Sequence, residues 1–96
     1  MISNNLFSLK GKTALVTGGS TGIGLMATVG LVSAGAKVFI VSRKLENCQN
    51  AAEELNHHDF EGEVIPFRGD LSSETGISDI TDEIYAQNSE LHILVN

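Results

Sequence analysis

Thr17 to Gly24 reads TGGSTGIG. The stretch directly before it, Thr13–Thr17 (TALVT), is short, apolar and β-branched, as expected of a buried strand. After it, from Ile23, runs IGLMATVGLVSAG, too long and too apolar for a loop. A glycine turn between a strand and a helix is the arrangement that receives a phosphate. Gly18, Gly22 and Gly24 let the chain leave the strand sharply, with φ > 0 where required, and let backbone approach a diphosphate. The helix behind the turn then offers N–H groups and a partial positive charge to the anion. Ser20 and Thr21 add hydroxyl donors. No Lys-Ser/Thr pair follows the glycines, so the turn is not a P-loop. The spacing G-x-x-x-G-x-G also departs from G-x-G-x-x-G. The plainer reading, a glycine turn with no ligand, is disfavoured by the strand before it and the helix after it.

Outward from the turn the chain alternates. Gly35 stands where the first helix should stop. That helix has apolar residues on every face, which predicts packing between layers. Lys37–Ser42 (KVFIVS) is a second buried strand. Leu45, Cys48, Ala52 and Leu55 then recur at helical spacing. The third strand, EVIPFRG, carries the chain's single proline, Pro66, and therefore belongs at a sheet edge. Ile77, Ile80 and Ile84 mark a third helix, which Ser72 or Ser73 can cap. Leu91–Asn96 (LHILVN) is a fourth strand. The order β-α-β-α-β-α-β with short connections calls for a parallel sheet with right-handed crossovers.

Three further positions bear on ligand choice. About 20 residues past the glycines, dinucleotide folds place an acid that takes the adenosine ribose hydroxyls. Here Ser42 stands at that place, followed by Arg43. Serine does not repel a 2′-phosphate, and a guanidinium pairs with one through two parallel donors. This favours NADP(H) over NAD(H). Against it, Thr21 sits in the turn where a second basic residue would strengthen a phosphate pocket. The bland alternative for Arg43 and Lys44 is a solvated helix start. Asp70, at the carboxyl end of the third strand, is placed to accept from an adenine amino group, with Leu71 against the ring; otherwise it merely opens the third helix.

Composition narrows the classes. A net charge of −6 argues against nucleic-acid and anionic-membrane partners. Cys48 is the single cysteine and has no disulfide partner, which fits a reducing compartment. No signal peptide pattern opens the chain, and no apolar run approaches the roughly 20 residues of a membrane span. The expected location is cytoplasmic. His57 and His58 are adjacent and do not share a helix face, so no metal site is expected. No Ser-His-Asp, Cys-His or metal-spaced set emerges.

Taken together, TGGSTGIG, SR after the second strand, DLSS and the terminal LVN resemble the N-terminal part of the short-chain dehydrogenase/reductase family, from about Leu9 to Asn96. FSLKGKTALVTGGSTGIG and DLSSETG look most like its 3-oxoacyl-[acyl-carrier-protein] reductase branch, rhamnolipid-type reductases included. The resemblance implies a Rossmann-like sheet of order 3-2-1-4, part of a doubly wound α/β fold. It implies that Gly18, Gly22, Ile23 and Gly24 border the cofactor diphosphate, and that Ser20, Thr21, Ser42 and Arg43 lie near the ribose phosphate. Asp70 and Leu71 would border the adenine. Asn96 matches the first residue of the family's Asn-Asn-Ala-Gly motif.

Family members run to roughly 250 residues, with a catalytic serine and a Tyr-x-x-x-Lys pair later in the chain. Tyr85 is the only tyrosine here and Ser89, not lysine, stands four residues on. Residues 1–96 are thus expected to be an incomplete NAD(P)-binding domain without catalytic residues. The longer parent would be an oligomeric NADPH-dependent reductase of a small carbonyl compound. The rival expectations are a binding remnant without turnover, its fourth strand an exposed edge, and an interaction module that takes no nucleotide.

Overall fold

A computed structural model describes residues 8–18, 22–87 and 90–95. Seven elements follow one another: β1 (Thr13–Thr17), α1 (Gly22–Ser33), β2 (Lys37–Ser42), α2 (Leu45–Asn56), β3 (Glu63–Arg68), α3 (Glu74–Ala86) and β4 (Ile93–Val95). The strands are all parallel and stand in the order β3-β2-β1-β4. This is the Rossmann-like 3-2-1-4 order that the sequence implies.

Alternation along the strands divides the core into two layers. Ala14, Val16, Val38, Ile40 and Val64 face one side, where Val32 of α1 and Cys48, Ala51, Ala52 and Leu55 of α2 cover them. Leu15, Phe39 and Val41 face the other, under Ile80 and Ile84 of α3. Two helices on one face and one on the other is what right-handed crossovers require when the chain moves outward from β1 and then returns to β4. Pro66 pairs opposite Ile40 on the edge strand, where its missing N–H breaks no ladder.

Ser73 is the N-cap of α3: its Oγ accepts from the Gly76 N–H at 3.0 Å and donates to the Asp70 carbonyl at 3.1 Å. Ser73→Ala is expected to lower stability by about 1 kcal/mol, read as a lower midpoint in urea unfolding followed by circular dichroism.

Four expectations need correction. Ile77 is 51% exposed, and the buried face of α3 is Gly76, Ile80 and Ile84. Ile77 has almost the angular position of Ile84 but lies in the first turn of the helix, outside the cluster that Ile80 and Ile84 form with the strands. The α1 helix packs on one side only: Thr28 and Val32 are buried, while Ile23 and Met26 are 84% and 73% exposed. Its apolar outer face meets no second layer among the described residues. The fourth strand begins at Ile93, not Leu91. The reason is His92, whose Nδ1 accepts the Thr13 N–H at 3.0 Å, so that an imidazole takes the donor a strand carbonyl would have taken. His92, expected on the strand and facing a neighbour, stands one residue before it, and its own N–H still donates to the Thr13 carbonyl of β1 at 2.9 Å. As expected, β4 lies at the edge of the sheet, with Leu94 60% exposed.

Candidate functional site

The carboxyl ends of β1, β2 and β3 are tied side by side by backbone. Gly18, just past β1, donates to the Val41 carbonyl of β2 at 3.2 Å. Gly69, just past β3, donates to the Ser42 carbonyl at 3.0 Å. The candidate positions at the ends of the three strands therefore share one rim. Gly18 to Asp70 spans two strand spacings, about 10 Å. Ligands of open α/β sheets lie on this rim.

Gly18 has φ +67° and Gly22 φ +55°. Both lie in the left-handed region that side chains disfavour, so glycine at these two places is a conformational requirement of the turn. Gly22 begins α1, and the first-turn N–H groups of a helix have no acceptor within it. The Gly24 carbonyl accepts from Thr28 Oγ1 at 2.8 Å, which fixes the first turn of α1. Ile23 projects outward at the rim. Ser20, Thr21 and Asn96 lie outside the described residues.

At the end of β2, the Ser42 hydroxyl accepts the Lys44 N–H at 3.2 Å, and its influence reaches the Cys48 thiol of α2. Burial pushes that thiol up from its ordinary pKa, against smaller opposing contributions from Ser42 and the Phe67 backbone, so it stays protonated at neutral pH. Arg43 is exposed beyond Ser42. At the end of β3, one oxygen of Asp70 accepts from the Ser72 hydroxyl at 2.5 Å and from the Ser72 N–H at 3.0 Å. These two bonds, with a smaller attraction from Arg43, hold its carboxyl below the usual carboxylate range. Asp70 is therefore a fixed anion at the rim and also the start of the turn into α3. Leu71 is half-buried against the α3-side core.

Sequence reasoning missed Arg68. It ends β3 directly beside Ser42 in the register. With Arg43, Gly69, Asp70, Ser73, Thr75, Gly76 and Asp79 it lines a cavity of about 410 Å³ between the strand ends and the start of α3. Strand alternation groups residue 68 with Val64 and Pro66 but does not place it in this cavity; the pairing of Arg68 with Ser42 does.

The remaining polar candidates stay apart from the rim. His57 closes the C-terminal end of α2 through its backbone, and the His58 ring lies 5.3 Å from that of Phe60. Among the described residues no three His, Cys, Asp or Glu side chains are grouped to hold a metal. None of the described helices is long and apolar enough to cross a membrane.

A parallel 3-2-1-4 sheet whose first strand runs through a left-handed glycine turn into a helix defines a Rossmann-like α/β protein. Within that class the chain belongs to the short chain dehydrogenase family, which it matches over residues 12–96. It is 44% identical over 90 residues to the rhamnolipids biosynthesis 3-oxoacyl-[acyl-carrier-protein] reductase of Pseudomonas aeruginosa, covering 94% of this chain and 34% of that protein. It is 35% identical to the short-chain dehydrogenase/reductase VdtF of Byssochlamys spectabilis, over 100% of this chain and 30% of that one. Among solved structures, the Pseudomonas aeruginosa RhlG/NADP active-site complex superposes with a TM-score of 0.79 at 44% identity, over 94% of this chain and 34% of that chain. L-Sorbose reductase from Gluconobacter frateurii, complexed with NADPH and L-sorbose, superposes with a TM-score of 0.85 at 29% identity, again over 94% and 34%. The chain thus spans about a third of the length of these relatives.

Proposed function

We propose that residues 1–96 form the NADP(H)-binding part of a reductase whose full-length parent reduces a carbonyl compound, 3-oxoacyl or similar, with NADPH. The observation that carries this reading is the end of β2. Ser42 and Arg43 stand on the ligand-facing rim, next to the glycine turn, where an NAD-selective site would hold an acid. The fit with a 2′-phosphorylated dinucleotide is physical. The turn adopts the left-handed conformations that admit a close diphosphate, and neither Arg43 nor Arg68 is held in an ion pair among the described residues. The solved complexes of relatives with NADP and NADPH support the same cofactor.

In this reading Gly18, Gly22, Ile23 and Gly24 border the diphosphate, Ser20, Thr21, Ser42 and Arg43 the phosphorylated ribose, and Asp70 and Leu71 the adenine, and Asn96 is a further cofactor contact. Bound NADPH supplies the hydride. This chain's own groups bind and orient the cofactor, and none of them is assigned a proton-transfer role. The parent is proposed to be a cytoplasmic homo-oligomer acting on a small molecule, while the 96-residue chain by itself is expected to show no turnover.

The test is calorimetric titration of the chain with NADPH and NADH. Saturable binding that favours NADPH is expected. Arg43→Glu removes a charge-assisted pair and adds a like charge, together about 3 kcal/mol, so NADPH binding should weaken about 100-fold. Equal affinity for the two dinucleotides would overturn the NADP assignment, and carbonyl reduction by the purified chain would overturn the division of labour.

A further inference from the structure

The chain contains two arginines, Arg43 and Arg68, and both line the same cavity. They come from different elements. Arg43 follows the end of β2, and Arg68 ends β3, paired in register with Ser42, one residue before Arg43. Neither is held in an ion pair among the described residues, where the pair formed is Lys37–Glu63 at 4.0 Å on the opposite, amino-terminal end of the sheet. Both guanidinium groups therefore keep their donors available. Asp70 and Asp79 line the same cavity. Arg43 attracts the Asp70 carboxyl, which already spends one oxygen on Ser72.

Two planar donor forks lining one cavity from neighbouring strands suit a dianionic phosphate, which has three acceptor oxygens to divide between them. A 2′-phosphate carried on a ribose at the end of β2 lies within one strand spacing of β3, about 4.8 Å, a gap that a long arginine side chain bridges. The glycine turn has threonine, not a basic residue, at position 21. The second positive charge that the turn lacks is available from the edge strand instead.

We propose that Arg68 is a specificity-determining residue that grips the 2′-phosphate of NADP(H) together with Arg43. This rests on the proposed NADP reading and deepens it, since it moves half of the phosphate pocket onto β3. Arg68 is exposed, so the substitution is expected to leave the fold intact.

The experiment is calorimetric titration of the 96-residue chain, its Arg43→Ala and Arg68→Ala variants and the double variant. The probes are 2′,5′-ADP and 5′-AMP, which differ only in the 2′-phosphate. For Arg68→Ala, affinity for 2′,5′-ADP should fall about tenfold while that for 5′-AMP stays unchanged. The double variant should bind the two probes alike. Circular dichroism melts check the fold, and Arg68→Gln replaces the alanine variant if that one melts early. Discrimination lost on Arg43→Ala but untouched by Arg68→Ala or Arg68→Gln overturns the role of Arg68 and leaves the NADP reading standing. An equal loss for both probes marks Arg68 as merely structural and also overturns the proposal. A wild-type chain that does not distinguish the probes, or binds neither, overturns both.

Discussion

Gly62→Ala is expected to destabilise the chain by about 3 kcal/mol or more, which for a domain of this size lowers the melting temperature by about 12–24 °C. Gly62 sits where the chain enters β3, beneath the end of α1. A methyl group there would overlap the Ala36 carbonyl oxygen and lie 2.8 Å from the Val32 oxygen and 2.9 Å from the Gly35 carbon. All three are backbone atoms, so no flexible side chain is available to move aside. The same segment is hydrogen-bonded there: Gly62 donates to Val32 at 3.1 Å and Glu63 to Ala36 at 3.3 Å. Relieving the overlap means pulling β3 from α1, and each bond lost adds about 1 kcal/mol. Gly30→Ala is the matched control. It lies inside α1 with nothing within 4 Å of the added carbon, and should gain up to about 1 kcal/mol from helix propensity. Thermal unfolding by far-ultraviolet circular dichroism separates the two. A Gly62→Ala melt within 2–3 °C of wild type, roughly half a kcal/mol, would mean that β3 and α1 do not approach this closely.

Gly62 also marks where sequence reading stops. The strands were legible because buried parallel strands are short, continuous and β-branched, as in TALVT and KVFIVS. The edge position of β3 was legible from Pro66, and the cap of α3 from the serines before it, because each follows from what one residue type does to the backbone. The rim positions Gly18, Gly22, Ser42, Arg43 and Asp70 were legible because their meaning depends on distance from a strand end. What escaped depends on neighbours distant in sequence. His92 meets Thr13 across 79 residues, and its ring bond shortens β4. Gly62 is glycine because α1, some 30 residues earlier, presses on it. Ile77 fits the helical period, yet it lies outside the cluster that Ile80 and Ile84 form with the strands. Arg68 reads as an unremarkable strand-end charge until the register sets it beside Ser42.

Ser42→Asp is expected to reverse the proposed cofactor preference, swinging the NADPH-to-NADH affinity ratio by about 1,000-fold. Two effects of opposite sign combine. A carboxylate about 4–5 Å from a 2′-phosphate is repelled by about 1–4 kcal/mol between the solvent and protein-surface limits of the dielectric, or about 100-fold in NADPH affinity at the middle of that range. For NADH the same carboxylate accepts from the ribose hydroxyls, a charge-assisted bond of about 1.5 kcal/mol and so about tenfold tighter binding. The local structure permits the exchange. The backbone N–H of Lys44 that Ser42 satisfies at 3.2 Å still meets an oxygen. The Cys48 thiol beside it is kept protonated by burial, so the new carboxylate faces a neutral S–H group and not a thiolate. Both affinities are measured by calorimetry at one fixed salt concentration, because screening weakens the repulsion at this exposed rim. The ratio is the informative quantity: a variant that is partly unfolded loses the same fraction of affinity for both dinucleotides, and the ratio is unaffected. An unchanged ratio in a chain that binds both would mean that the adenosine ribose does not lie at the end of β2, and the assignment of Ser42 and Arg43 would fall with it.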